Sequence, residues 1–291
     1  MIAHVQTKTE IRAALDSLGI RPQRRFGQHF LIDGNLMRRL ADCAEIGERD
    51  TILEVGGGTG GLTDLLAARA AKVIVAEIDH ALAGLLRDRF ADRQHVCLIE
   101  ADALAGKNRI APAVIDAVIE LAAAPPDRTA LVANLPYAVA TPLLMNLLHE
   151  LPVVERFCFT IQRDVAERIQ AAPGTKAYGP LSVTLQTLTD IHRVARVSPS
   201  AFWPPPTVES SMLRIDVRHD VLPGPEPIAR FVAFVREAFL HRRKMLKHTL
   251  SRILDERAFA AAADLLDLTR RPEDLPPPEW LDLARRTVLT D

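Results

Sequence analysis

The chain has 291 residues and a formal net charge of −1, from 36 Lys and Arg against 37 Asp and Glu. Its 48% hydrophobic and 25% charged content is that of an ordinary soluble globular protein, long enough for one large domain or two. No apolar run is long enough for a membrane span, residues 1–6 lack the apolar core of a secretory signal, and the three cysteines and nine histidines are scattered, so a reducing, cytoplasmic setting with no membrane and no metal is expected.

Residues 9–18 read as a short amphipathic helix ended by Gly19. The stretch Arg24-Arg25-Phe26-Gly27-Gln28-His29-Phe30-Leu31-Ile32-Asp33 is basic and aromatic, with Asp33 placed to cap the helix after it. Two phenylalanines in a linker call for a docking surface, so this segment reads as a packed arm or as part of a ligand lid. Residues 51–56 read as a strand running into Gly56-Gly57-Gly58-Thr59-Gly60-Gly61, and 62–70 as a helix. Strand, glycine turn and helix form the first unit of a nucleotide-binding α/β domain. The glycine spacing fits a dinucleotide site and an S-adenosylmethionine site equally. The strand 72–76 ends in Glu77-Ile78-Asp79, where a carboxylate can accept both hydroxyls of a ribose; Asp79 suits the cap of helix 80–90. A third strand, 95–99, ends in Glu100-Ala101-Asp102, and Asp102 can accept from an adenine amine. That second acid, with Glu54 inside the first strand near where a sulfonium ligand's amino group would lie, favours a methyl donor over a dinucleotide.

A helix over 111–124 leads to Ala130-Leu131-Val132-Ala133, a short buried strand, then to Asn134-Leu135-Pro136-Tyr137 and a helix over 142–150. The tetrapeptide therefore sits where a parallel strand gives way to its crossover helix, the place where open α/β sheets bind ligands. Asn134 offers a side-chain acceptor, the carbonyls beside Pro136 offer others, and Tyr137 offers a flat ring, a set that suits a planar base with an exocyclic amine. A turn-forming Asn with a packed Tyr is the plainer alternative. Beyond it come a strand over 153–161, a charged helix over 162–171, a loop over 173–180, and edge strands over 191–197 and 211–217. Between the last two, Phe202-Trp203-Pro204-Pro205-Pro206 reads either as a stacking wall for a base or as a stiff loop packing its own rings. Pro223-Gly224-Pro225-Glu226-Pro227 marks a linker. Helices are expected over 228–240, 244–254, 257–267 and 278–287. They carry an acid-free basic run containing Arg242, Arg243, Lys244 and Lys247, which with Arg24 and Arg25 forms the candidate phosphate-binding surface. The expected division is a catalytic domain over 1–220, N-terminal arm included, and a small all-helical domain over 226–291.

Several of these segments, taken in order, resemble one family, the rRNA adenine N6-dimethyltransferases, and most closely their small-subunit rRNA type. They are Arg25 to Leu31, Leu53 to Thr63, Glu77-Ile78-Asp79, Asp102, Asn134-Leu135-Pro136-Tyr137, Lys176 to Gly179 with Leu181-Ser182-Val183, Phe202 to Ser210, and Arg242-Arg243-Lys244 with Leu246. The glycine loop alone is a weak sign; the tetrapeptide in this order with the rest is specific. The resemblance implies a class I S-adenosylmethionine-dependent methyltransferase domain, α/β with a Rossmann-like seven-stranded sheet, plus the small C-terminal helical domain. It implies S-adenosylmethionine as methyl donor and, as substrate, two adjacent adenines in the 3′-terminal hairpin loop of small-subunit rRNA, dimethylated at N6 within an assembling subunit by a monomeric enzyme. It also implies roles. Gln28, His29 and Leu31 contact or close over the donor's methionine end. Glu54, Gly56, Gly58 and Gly60 line the donor, with Glu77 and Ile78 at its ribose and Asp102 and Ala103 at its adenine. Asn134, shared with the donor site, holds the target base with Leu135, Pro136 and Tyr137, and Phe202 supplies the second ring. The departures are His29, where the family often has Asn, and Gly57, where it often has Pro. A large-subunit rRNA adenine methyltransferase of the macrolide-resistance type shares the tetrapeptide; the three prolines after Trp203 and the Arg242-Arg243-Lys244 run favour the small-subunit type. An NAD(P)-dependent dehydrogenase could use the same glycines.

Overall fold

In the computed structural model, which describes residues 6–23, 26–106, 109–124, 127–222 and 224–290, the strands are β1 (Phe30–Leu31), β2 (Thr51–Val55), β3 (Lys72–Glu77), β4 (Val96–Glu100), β5 (Thr129–Asn134), β6 (Val154–Gln162), β7 (Thr189–Val197), β8 (Phe202–Trp203) and β9 (Ser210–Val217). Seven form one sheet in the order β4-β3-β2-β5-β6-β9-β7. The pairs β4-β3, β3-β2, β2-β5 and β5-β6 are parallel, and β9 runs antiparallel to β6. Every residue of β2 and all but the first of β3 is buried, as a strand covered on both faces requires. The order reverses around β2, whose neighbours β3 and β5 lead away on either side. A crevice opens at the carboxyl ends of such strands.

Helices Gly61–Ala67, His80–Arg89 and Tyr137–Glu150 follow β2, β3 and β5. Asp33 and Asp79 cap their helices as the sequence suggests, each accepting two backbone N–H groups. The helix after β5 begins at Tyr137, five residues before the expected 142, and carries Pro142 inside it. A proline there forfeits one backbone bond, which the packed apolar face tolerates. A further helix, Pro180–Leu188, begins at the end of the expected loop over 173–180 and fills the stretch before the edge strand; it opens on a proline, whose missing N–H is no loss at that position. The helix expected over 244–254 shortens to Leu246–Leu250.

The chain forms two compact units. The first runs to Arg163 and resumes over His192–Asp216; the second comprises Asp164–Ile191 and the chain from Val217 onward. The linear boundary near residue 220 follows chain order, whereas packing groups Asp164–Ile191 with the C-terminal helices. In that second unit Leu181, Val183, Leu185 and Leu188 are buried. The Tyr178 hydroxyl, in a fully buried side chain, donates to the Leu275 carbonyl at 2.7 Å. Trp280 anchors the core, with its ring 5.9 Å from that of Phe234 and 5.5 Å from that of Phe239. In the first unit β1 pairs with β8, Leu31 opposite Phe202 and Phe30 opposite Trp203, so the N-terminal arm is tied down as a strand.

Candidate active site

A cleft of about 310 Å3 lies at the carboxyl ends of β2, β3, β4 and β5, at the lower end of the range for small-ligand sites. Val55, Gly56 and Gly58 come to it from the first turn, Ala76, Glu77 and Ile78 from the second, Ala101, Asp102 and Ala103 from the third, and Asn134 to Val139 from the fourth. Phe26 to Phe30 of the arm line it as well.

On one side the determining group is Glu77, only 4% exposed. Its Oε2 accepts the Gly58 N–H at 2.8 Å and its Oε1 the Asp79 N–H at 2.9 Å. Burial pushes this carboxyl up, and those same N–H groups pull it back. A carboxylate has about four acceptor positions, so the two amides fix its plane and leave room for a diol. Gly58 makes this possible: its φ is +57° and an added Cβ would lie 3.2 Å from the Phe30 ring. At Gly57 the obstacle is packing, since a Cβ would lie 2.5 Å from Val75 Cγ1. Asp102 is exposed at the rim, with its Oδ1 accepting the Leu104 N–H at 3.0 Å. Gln28 donates to Asp79 at 2.9 Å and Gln23 does so at 2.8 Å, pinning the arm over this end of the sheet.

A smaller hollow of about 50 Å3 shares Phe30, Gly56, Gly58 and Asn134 with the cleft and reaches Glu54, Leu31 and Gln6. Glu54 is 1% exposed, accepts the Thr63 hydroxyl at 2.6 Å, and is pushed up to about 8, chiefly by burial. Gly60 lines neither space; its φ of +85° caps the helix Gly61–Ala67.

The other side of the cleft is built from side chains. Asn134 Nδ2 donates to the His29 carbonyl at 2.8 Å, and its Oδ1 accepts the Thr160 hydroxyl. The Tyr137 hydroxyl pairs with that of Ser210 at 2.7 Å, and burial raises the phenol. The His29 ring stacks on Tyr137, with centroids 5.6 Å apart and planes at 30°. His29 Nδ1 lies 2.7 Å from the Pro204 carbonyl, which can only accept, so Nδ1 carries the proton.

Phe202 is placed differently from the expectation. It is 2% exposed and belongs to the apolar core with Leu31, Leu40 and Met212, because its position opposite Leu31 turns the ring inward. The second ring beside Tyr137 in the cleft is His29. Of the basic residues, Arg24 and Arg25 lie outside the described residues. Arg242 is bound to Glu273 at 2.6 Å, whereas Arg243, Lys244 and Lys247 are exposed in the second unit. Thr160 and Gln23 are residues at the site that the sequence did not single out, and Phe26 and Ser210 entered the sequence reading only within longer segments, the docking arm and the stretch Phe202 to Ser210. The one available sign was a hydroxyl inside the apolar run of β6, since a buried polar group requires a partner. Among the described residues no group of three His, Cys, Asp or Glu could hold a metal ion, and no helix is long and apolar enough to cross a membrane.

A mostly parallel seven-stranded sheet with β9 antiparallel to β6, a glycine turn after β2 and an acid at the end of β3 define a class I methyltransferase. The solved structures that the fold resembles are of this class. They include a dimethyladenosine transferase from Plasmodium falciparum, with a TM-score of 0.71 and 22% identity, covering 88% of this chain and 96% of that one. They also include the 23S rRNA methyltransferase ErmE, with a TM-score of 0.61 and 26% identity, covering 88% and 98%. Relatives named ribosomal RNA small subunit methyltransferase A are 38% identical over 279 residues in Synechococcus sp. (strain WH7803), covering 92% of this chain and 94% of the relative. The one from Mycobacterium tuberculosis (strain ATCC 25177 / H37Ra) is 37% identical over 295 residues, covering 98% and 89%. Residues 20–287 match the family described as ribosomal RNA adenine dimethylase. The chain belongs to that family.

Proposed function

We propose that this protein transfers methyl groups from S-adenosylmethionine to N6 of two adjacent adenines in the 3′-terminal hairpin loop of small-subunit rRNA, during assembly of the subunit in the cytoplasm. The observation that carries the reading is the single cleft lined by both Glu77 and Asp102 and by Asn134 to Tyr137. The relatives' shared name supports the small-subunit substrate. One chain supplies both sides of the cleft, which supports action as a monomer.

The residues fit the donor. Glu77, held by two backbone amides, lines the cleft with acceptor capacity to spare for a ribose, and Asp102, whose Oδ1 takes the Leu104 N–H, keeps a second oxygen that suits an adenine amine. Glu54, behind the smaller hollow, suits the amino group at the donor's other end. When bound, S-adenosylmethionine supplies an electrophilic methyl on a sulfonium. The protein's task is alignment, because the adenine amine is a weak nucleophile and gains most from orientation. Asn134 Oδ1 and the Leu135 carbonyl accept the N6 hydrogens, turning the lone pair toward the methyl and favouring the positive charge that grows on nitrogen. The Pro136 carbonyl already accepts the Val139 N–H at 3.1 Å, so Leu135 is the better second acceptor. Tyr137 and His29 supply rings on which an everted base stacks, worth about 1–3 kcal/mol per base against the cost of extrusion. Arg243, Lys244 and Lys247 offer an exposed basic face for rRNA phosphates.

The test is methyl transfer to immature small and large ribosomal subunits, followed by mass spectrometry of digested rRNA. Dimethylated adenine in the 3′-terminal hairpin of the small-subunit RNA is the expected product. Modification of large-subunit RNA alone would move the protein to the macrolide-resistance branch.

A further inference from the structure

Thr160 is fully buried in β6, between the equally buried Phe159 and Ile161. A hydroxyl in such a run persists only where it is bonded. Its partner is set by sheet register: Thr160 lies opposite Asn134, the last residue of β5. The donor and acceptor roles are fixed by chemistry. The His29 carbonyl accepts only, so the Asn134 nitrogen must face it, and the carboxamide oxygen therefore faces Thr160. Thr160 must then donate its proton to that oxygen. The carboxamide is held at both ends, and one lone pair of Oδ1 stays available to the cleft. A flipped amide would set its oxygen against the His29 carbonyl and its nitrogen against a hydroxyl.

We propose that Thr160 is a positioning residue for methyl transfer, its buried hydroxyl holding the Asn134 carboxamide in the orientation that presents the acceptor oxygen to the target amine. The inference rests on the reading of Asn134 as the amine-binding residue. Thr160 touches neither donor nor base; it narrows the rotation of the group that does. Its loss costs the fraction of time the amine spends aligned, and leaves the binding surfaces for donor and RNA in place.

The experiment compares Thr160→Val and Thr160→Ser with wild type. Valine has the same shape without the donor, and serine restores the donor. Thr160→Val is expected to lower kcat roughly five- to tenfold, the effect of one hydrogen bond on orientation. The KM values for donor and RNA and the thermal midpoint should hold, and Thr160→Ser should recover most of the rate. A kcat within about twofold of wild type, a loss that serine fails to rescue, or a fall in donor affinity matching the fall in rate would overturn the proposal. A second readout is independent of the substrate: the Asn134 side-chain amide resonance, assigned by its absence in Asn134→Ala, should shift in Thr160→Val and return in Thr160→Ser. An unmoved resonance overturns the positioning role. A shifted one with no activity on any rRNA leaves the contact intact and refutes the proposed reaction instead.

Discussion

The two sides of the cleft are held by different means. The Glu77 side is fixed by backbone: amides of Gly58 and Asp79 grip a carboxylate at a strand end, and the longer of those links spans 19 residues. The Asn134 side is fixed by side-chain hydrogen bonds to groups far along the chain, two of them backbone carbonyls. Asn134 reaches His29 across 105 residues and Thr160 across 26, Tyr137 reaches Ser210 across 73, and His29 reaches Pro204 across 175. Backbone clamps suit a small ligand whose shape is always the same. Side-chain clamps suit a base that must be drawn out of an RNA loop and set against a methyl, since each support adjusts one group without disturbing the sheet.

If the two sides work separately, their perturbations separate. The largest expected effect is that of Asn134→Ala, which removes the proposed acceptor of the target amine. It should lower kcat by about 10² to 10³ under saturating donor and RNA, and a rate close to wild type breaks the division of labour. Next is Glu54→Gln. The buried Glu54 carboxyl is pushed up to about 8, whereas an unfolded chain loses that proton near the ordinary glutamate value. Its stabilising contribution is therefore fully present below the unfolded value and is lost as pH rises to about 8, by up to about 1.4 kcal/mol per pH unit. Thermal midpoints from pH 5 to about 8 should fall more steeply for wild type than for Glu54→Gln; parallel curves would remove Glu54 from the titrating groups. The smallest effect belongs to Ser210→Ala, which frees the Tyr137 hydroxyl. A rise of about threefold to tenfold in the KM for RNA is expected, with donor affinity unchanged; a change confined to donor affinity would put Ser210 on the wrong side of the cleft.

The same contrast explains what could be read in advance. The Glu77 side is local in sequence: glycines needing positive φ, an acid at the next strand end and an aspartate cap follow one another in order, and each has its own signature. The tetrapeptide was visible too, because Asn, Pro and Tyr at a strand end have few other uses together. Its supports were not. Thr160 looks like any residue of an apolar strand until register sets it opposite Asn134, and nothing near Ser210 announces a tyrosine hydroxyl. Phe202 misled for the reverse reason, because a ring beside three prolines suggests exposure, whereas pairing with Leu31 turns it into the core. His29 takes that place through the fold of the arm, which no short pattern encodes.

Calorimetric titration of S-adenosylmethionine into Glu77→Ala and Asn134→Ala tests most directly that one cleft has two separately held sides. Loss of a charged hydrogen-bonding partner should weaken donor binding about ten- to a hundredfold in Glu77→Ala, while Asn134→Ala should bind within about twofold of wild type. Equal weakening in both variants, or none in Glu77→Ala, would contradict the account.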